Sequence, residues 1–477
     1  MSTASTSPRA RAWNQAELRR LGRSLADWAV AELTQNGAGP VRAADFERRA
    51  RILLRTRVSP AKVPAWMRQL AAAGMRVNHP AYMAQQIPAP IPLAALVECA
   101  VSTLNQSLAV WDMSPAGTLV DRAVMDRFKG LLGFSKDAEG SLTPGGSFAN
   151  LTALLAARAA LDSKAWRAGG ARIAILAGAH THYSIARAAG ILGLGADCVF
   201  PIAATPDFRT DPDAVPAAAR LARRAGYRKF ILVATSGSTP TGGFDDLAAF
   251  ADQARKLGAW LHVDAAHGGG MAFSPRYKRL LRGLERADSV AFDPHKMMFM
   301  PLSAGAVLVR RGEHLRQAFE QHAPYLFSPP EVAATRPVGD GGTFTIACSQ
   351  RFESLKIWLV WNAYGPRLFA DLVESVCATT QAAYELCQAS RLLEPVHRPQ
   401  SNIFCFRLRQ PPVAGKAADA LHWRIKEAVN ISGKAYISST VLEGRRGLRL
   451  VVMNPRTTAV HMGRVLRAVE AEARRCR

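Results

Sequence analysis

The chain predicts an α/β fold: a mainly parallel sheet with helices on both faces, followed by a smaller α+β unit. Three observations carry this. From about residue 140, short apolar runs alternate with helix-like stretches. Those stretches are long enough to be crossover helices, which parallel neighbours require. After "FESLKIWLVWNAYG" the alternation stops, and two more strand-like runs lie among helical patterns.

Residues 12–73 read as helices, because "AWNQAELRRLGRSLADWAVAELTQ" repeats apolar positions at three- and four-residue spacing. "RVNHPAYMAQQIPAPIP" is Pro-rich and irregular, a crossing segment, and "LAALVECAVSTLNQSLAV" and "GTLVDRAVMDRFKGLLGF" return to helix. The alternating region follows. "NLTALLAARAAL" reads as helix, "ARIAILAG" as strand, "HYSIARAAGILG" as helix and "DCVFPI" as strand. "VPAAARLARRAG", "KFILVATSG", "LAAFADQARKLG" and "WLHVDAA" repeat the sequence helix, strand, helix, strand, and "SVAFDPH" and "AGAVLVR" close it. "NIFCFRLR" and "GLRLVVMNP" are the strands of the C-terminal unit. The expected division is a helical segment at 1–95, a large domain at 96–368 and a small domain at 369–477.

Of the 477 residues, 49% are hydrophobic and 21% charged, an ordinary composition for a globular enzyme. No run of about 18 apolar residues is present, so no membrane helix is expected. "MSTASTSPRARAW" has no apolar core and does not read as a secretory signal. The seven cysteines (Cys99, Cys198, Cys348, Cys377, Cys387, Cys405, Cys476) form no CxxC pair. That pattern predicts reduced thiols, a cytoplasmic location and no metal site. The net charge of +24 raises nucleic acid or an acidic membrane as partners. The basic residues are spread along the chain, without an aromatic-interleaved stripe, so a solvated arginine-rich surface is expected and neither partner.

Four motifs fall at strand or helix ends, where open α/β sheets bind ligands. "TPGGSFAN" (143–150) opens a helix whose free N–H groups, with Gly146 and Ser147, suit a phosphate. "HTHYS" presents His182, and "HVDAAHGGG" puts Asp264 at the end of an apolar strand, where a carboxylate needs a partner. Lys296 follows 296 − 264 = 32 residues later, beside His295 and ahead of the apolar "MMFMPLSAGAVLV". Each motif alone has a plainer explanation: a turn with an N-cap, a structural histidine, a paired acid, a lysine that snorkels to water. In this order they match the needs of pyridoxal phosphate: an anion cradle, a ring stacker, a carboxylate for the pyridine nitrogen and a Schiff-base lysine.

Roughly residues 75–460 resemble the pyridoxal-phosphate-dependent group II amino acid decarboxylases, which include the glutamate, aromatic amino acid, cysteine sulfinate and 2,4-diaminobutyrate enzymes. The resemblance is carried by "HPAYMAQQ", "NQSLAVWDMSPAGT", "TPGGSFANLTALLAAR", "HYSIARAAGILGLG", "ATSGSTPTGGFDD", "WLHVDAAHGGG", "DPHKMM", "LKIWLVW" and "LRLVVMNP". It implies the fold type I transferase architecture with a seven-stranded sheet, and a homodimer with shared sites. It implies pyridoxal 5'-phosphate on Lys296, with Asp264 on the pyridinium and His182 stacked on the ring. Ala266 would lie beneath the ring, Gly146, Ser147 and His295 on the phosphate, and Thr239, backed by Asp245, near the hydroxyl. Gln85 and Arg449 match substrate-contacting positions.

Two departures stand out. Asp293 of "DPHK" occupies a position where several members have asparagine, making the phosphate corner more acidic. The family's mobile loop carries a tyrosine that protonates the carbanion, whereas "SPPEVAATRPVGDGGTFTIA" has none, and Tyr325 precedes it. The expected activity is α-decarboxylation of an L-amino acid to an amine and CO₂. Its alternatives are decarboxylation-coupled oxidative deamination to an aldehyde, or a non-catalytic basic binding protein on the same fold.

Overall fold

The computed structural model of the protein describes residues 12, 14–35, 37 and 39–475. Residues 1–11 and 13 of the start read above, and Cys476, lie outside the described residues. Among the described residues, twelve strands form two sheets. In chain order they are β1 (Tyr82–Met83), β2 (Glu139–Thr143), β3 (Ile173–Gly178), β4 (Val199–Ile202), β5 (Lys229–Thr235) and β6 (Trp260–Ala265). Then come β7 (Ser289–Phe292), β8 (Gly305–Val309), β9 (Leu393–Pro395), β10 (Ile403–Leu408), β11 (Tyr436–Leu442) and β12 (Arg445–Val451).

The large sheet has seven strands in the order β2-β8-β7-β6-β5-β3-β4. Strands β7, β6, β5, β3 and β4 pair in parallel, and β8 is antiparallel to both its neighbours. The apolar runs behave as expected for strands covered on both faces: β3, β6, β7 and β8 are buried at every position. One strand has no such signature. β2 reads "EGSLT", and its buried Glu139 is held by Arg122 and by Arg316 at 3.0 Å.

The helices between the strands start and stop on local chemistry. In Leu247–Leu257, the Asp246 side chain accepts from Ala249 N at the start, and Gly258 ends it in the left-handed region at φ 62°. The five-stranded sheet has the order β1-β11-β12-β10-β9 and packs on Gly415–Ile431. The helix Ser354–Gln388, broken at Gly365–Pro366, packs against the helix Pro92–Leu104, the turn Gly268–Phe273 and strands β9 and β10. No described helix is long and apolar enough to cross a membrane.

Candidate active site

Lys296 stands in a tight turn after β7. Lys296 N donates to Asp293 O at 2.9 Å, Phe299 N to Lys296 O at 3.0 Å and Met300 N to Pro294 O at 3.2 Å. Met297, Met298, Phe299 and Met300 are all fully buried, and Phe299 is held at φ 55°, a strained value for a bulky residue. The apolar run therefore clamps the turn from behind. Lys356, itself buried, braces it further by donating to Pro301 O at 3.4 Å and Glu98 Oε1 at 2.5 Å. The Lys296 side chain is the part that emerges, 19% exposed, with Nζ 2.9 Å from Asp293 Oδ2.

Asp264 ends β6, in register with Thr235 of β5 and Ala291 of β7. Its Oδ1 accepts from Ala266 N at 3.1 Å and its Oδ2 from Asn150 Nδ2 at 3.0 Å. The network behind it assigns protons. Trp260 Nε1 donates to Ser289 Oγ at 2.8 Å, leaving the hydroxyl proton for His262 Nδ1 at 2.9 Å. His262 then carries its proton on Nε2 and donates to Asn150 Oδ1 at 3.0 Å, which fixes the Asn150 amide group towards Asp264. Burial pushes the His262 imidazole down to about 4, so it stays neutral in this relay.

His182 follows β3. Its Nδ1 accepts from Ser184 N at 3.3 Å and lies 2.8 Å from Ser184 Oγ, so a neutral ring bears its proton on Nε2. Burial holds the His182 pKa below the ordinary histidine value; Asp264 pulls it up and Lys296 pushes it down. The helix Gly146–Leu161 begins after Gly145, whose φ of 100° suits glycine. At Gly146 a Cβ would stand 2.7 Å from Asp293 Oδ2 and 2.9 Å from the Ala266 methyl, so only glycine leaves room. The first N–H groups of a helix have no partners within it and favour an anion. His295 closes this corner, with Nδ1 2.7 Å from Ala304 O and Nε2 3.7 Å from Asp293 Oδ2.

These groups share one cavity of about 240 Å³, whose wall includes Gly146, Ser147, His182, Thr239, Asp264, Ala266, His295 and Lys296. Three buried atoms of wall residues find no hydrogen-bond partner among the described residues: Thr235 Oγ1, His267 Nδ1 and Asp293 Oδ1. An amine, a carboxylate met by two donors, a helix N-terminus that opens on a glycine, and the unused Thr235 Oγ1 and His267 Nδ1 fit pyridoxal 5'-phosphate. Residues 62–409 match the pyridoxal-dependent decarboxylase conserved domain. The chain belongs to the pyridoxal-dependent decarboxylases.

The relatives agree. The chain is 36% identical over 407 residues to L-2,4-diaminobutyrate decarboxylase of Rhizobium meliloti (strain 1021), covering 84% of this chain and 79% of the relative. It is 29% identical over 399 residues to cysteine sulfinic acid decarboxylase of Rattus norvegicus, covering 82% and 78%. The crystal structure of mouse CSAD superposes with a TM-score of 0.88 at 26% identity, covering 98% of this chain and 99% of that one. The protein is thus a pyridoxal-phosphate-dependent amino acid decarboxylase of the fold type I class.

Three expected site residues of this decarboxylase lie off the cavity wall. Asp245 is buried behind it, accepting from Thr210 N at 2.7 Å and Thr235 N at 2.8 Å; burial pushes its carboxyl up to about 6. Arg449 on β12 donates to Ser438 Oγ at 3.1 Å and to Ala84 O at 3.3 Å, next to exposed Gln85. Arg449 thus reaches the backbone beside Gln85, and among the described residues its Nε has no hydrogen-bond partner. The loop lacking tyrosine is tied to residues 111–112. Asp340 accepts from Trp111 N at 2.8 Å, and Arg336 reaches Asp112 at 3.0 Å. Asn150 and His262 were not singled out in the sequence. Their signals were present: His262 is two residues before Asp264, on the same strand face, and Asn150 is in the first turns of the cradle helix.

Proposed function

We propose that Lys296 carries the cofactor of this decarboxylase and that the substrate is an L-amino acid losing its α-carboxylate as CO₂ to leave an amine. The observation that supports this best is that Lys296, Asp264 and Gly146 open onto the same small cavity from three separate elements. Bound pyridoxal phosphate supplies an electron sink for the pair released at Cα. The chain's residues do the rest. Asp264, with both oxygens already oriented by donors, keeps a proton on the pyridine nitrogen. Gly146, Ser147 and His295 hold the phosphate, Ala266 packs under the ring, and Thr239 faces the hydroxyl with Asp245 bracing the strand behind it. His182 would lie against the ring and, as the imidazolium, give its Nε2 proton to Cα. Gln85 and Arg449, off the cavity wall in this chain, contact the substrate.

A second reading changes the product. Residues 326–345 contain no tyrosine, and Tyr325 is 89% exposed. Slow protonation of Cα favours reaction with oxygen and an aldehyde product. The test is to incubate the purified protein with each amino acid, including 2,4-diaminobutyrate and cysteine sulfinate, and to measure CO₂, amine, aldehyde and peroxide together. Amine equal to CO₂ supports the first reading, aldehyde and peroxide equal to CO₂ the second, and no CO₂ from any substrate contradicts both.

The working unit is a homodimer. Exposed Phe148 and Ile346 line a second cavity of about 260 Å³ that shares Pro144 and Ser303 with the first, whose own wall includes exposed Leu302, and apolar side chains beside a site suit a partner subunit. The six described cysteines are free thiols, which supports a reducing, cytoplasmic setting.

A further inference from the structure

We infer that Asp293 weakens this chain's grip on its cofactor's phosphate, by keeping a buried negative charge at the cradle while serving as counter-ion to Lys296. The inference rests on the reading that places the cofactor on Lys296 with its phosphate at Gly146 and Ser147. The Asp293 side chain is 1% exposed. Its Oδ2 lies 2.7 Å from the point where a Cβ on Gly146 would stand, so the carboxylate faces the opening turn of the helix Gly146–Leu161. Backbone N–H groups there attract an anion. Asp293 already offers one from within the protein.

The cations around it are few. Lys296 Nζ is 2.9 Å from Oδ2 and His295 Nε2 is 3.7 Å away. Burial holds the His295 pKa below the ordinary value even with Asp293 pulling it up, so at neutral pH this imidazole adds little positive charge. His182, also lowered by burial, senses Asp293 through space without contacting it. Lys296 is therefore the ion that balances Asp293. Among the described residues Oδ1 of Asp293 has no hydrogen-bond partner, so most of the compensation falls to Lys296. Once Nζ is committed to the cofactor it is no longer free as that counter-ion. The corner then holds a buried carboxylate beside a phosphate dianion, an arrangement that disfavours retention. Cofactor-free protein, by contrast, is stabilised by the Lys296–Asp293 pair. Asp293 thus shifts the balance towards exchange on both sides.

The test is cofactor titration of cofactor-free wild type, Asp293→Asn and Asp293→Ser, following visible absorbance, with pyridoxal 5'-phosphate and with pyridoxal, which lacks the phosphate. Both variants should bind pyridoxal phosphate on the order of tenfold or more tightly than wild type, and should gain clearly less with pyridoxal, which responds only to loss of the Lys296–Asp293 pair. Two variants of different shape guard against a packing artefact. Unchanged or weaker pyridoxal phosphate binding overturns the inference. So does an equal gain with pyridoxal, which would locate the effect at Lys296 alone. Borohydride reduction of the wild-type complex separates this failure from failure of the underlying reading. A label on Lys296 with indifferent affinities overturns only the role of Asp293, whereas a label elsewhere overturns the cofactor assignment and this inference with it.

Discussion

Asn150 Nδ2 lies 3.0 Å from Asp264 Oδ2, and the orientation of that amide is dictated by His262 on the same strand as Asp264. A helix residue and a strand residue thus jointly fix which way the buried carboxylate faces. Asn150 also donates to Ser184 Oγ at 2.9 Å, the hydroxyl that meets His182. One side chain orients both groups proposed to flank the cofactor ring.

Asn150→Ala leaves His262 Nε2–H and one Asp264 oxygen unpaired in a buried site, at about 1–3 kcal/mol each. Its thermal midpoint should fall by several degrees, and kcat by roughly tenfold. Asn150→Asp should be worse for turnover, because two carboxylates at this distance do not both ionise. Wild-type kcat in both variants would remove Asn150 from the site.

Asp264→Asn should keep the cofactor yet lower kcat by about a hundredfold or more, near 3 kcal/mol of barrier. Both oxygens meet N–H donors, so the new amide must turn its NH₂ against one of them. The pyridine nitrogen also loses the charge that holds its proton. Steady-state kinetics with the identified substrate, alongside a cofactor-content measurement, decide the matter.

The Cα proton separates the two product outcomes. If His182 delivers it as imidazolium, amine formation should fall as pH rises through its pKa, which burial places below the usual histidine value. Aldehyde and peroxide should rise in step when oxygen is present. His182→Gln should shift products towards aldehyde below that pKa and match wild type above it. Clean amine, independent of oxygen and unchanged in the variant, would show that another group protonates Cα.

Acid stability follows from two buried imidazoles. Burial pushes His262 down to about 4 and His267 to about 3, against about 6.5 in an unfolded chain. Below pH of about 6.5 the unfolded chain binds protons that the folded chain refuses, so stability is full above that pH and declines below it. Each group contributes a slope of about 1.4 kcal/mol per pH unit until its folded pKa is reached. Urea unfolding at pH 7 and pH 5 should show the loss, and His267→Gln should reduce it. Equal midpoints at both pH values would contradict the burial argument.

The sheet was legible in the sequence because strands buried on both faces are nearly continuous apolar runs, and β3, β5, β6 and β8 are of that kind. β2 was not, since "EGSLT" owes its burial to pairing with β8 and to arginines brought to Glu139 from elsewhere in the chain. The cavity residues were legible because each ends an element. The supporting contacts were not: Asn150 and Asp264 are distant in sequence and meet only once the helix lies across the strand ends. Arg449 reaches Ala84 O, beside Gln85, through the pairing of β1 with β11 and β11 with β12, which no local pattern specifies.

The most direct test of the account is borohydride reduction of the purified protein with its cofactor, followed by peptide mapping. With its cofactor on Lys296 the protein should be yellow, lose its visible band on reduction and carry a single pyridoxyl group on Lys296, with none incorporated by Lys296→Ala. A pyridoxyl group on any other lysine, or undiminished labelling in that variant, would contradict it.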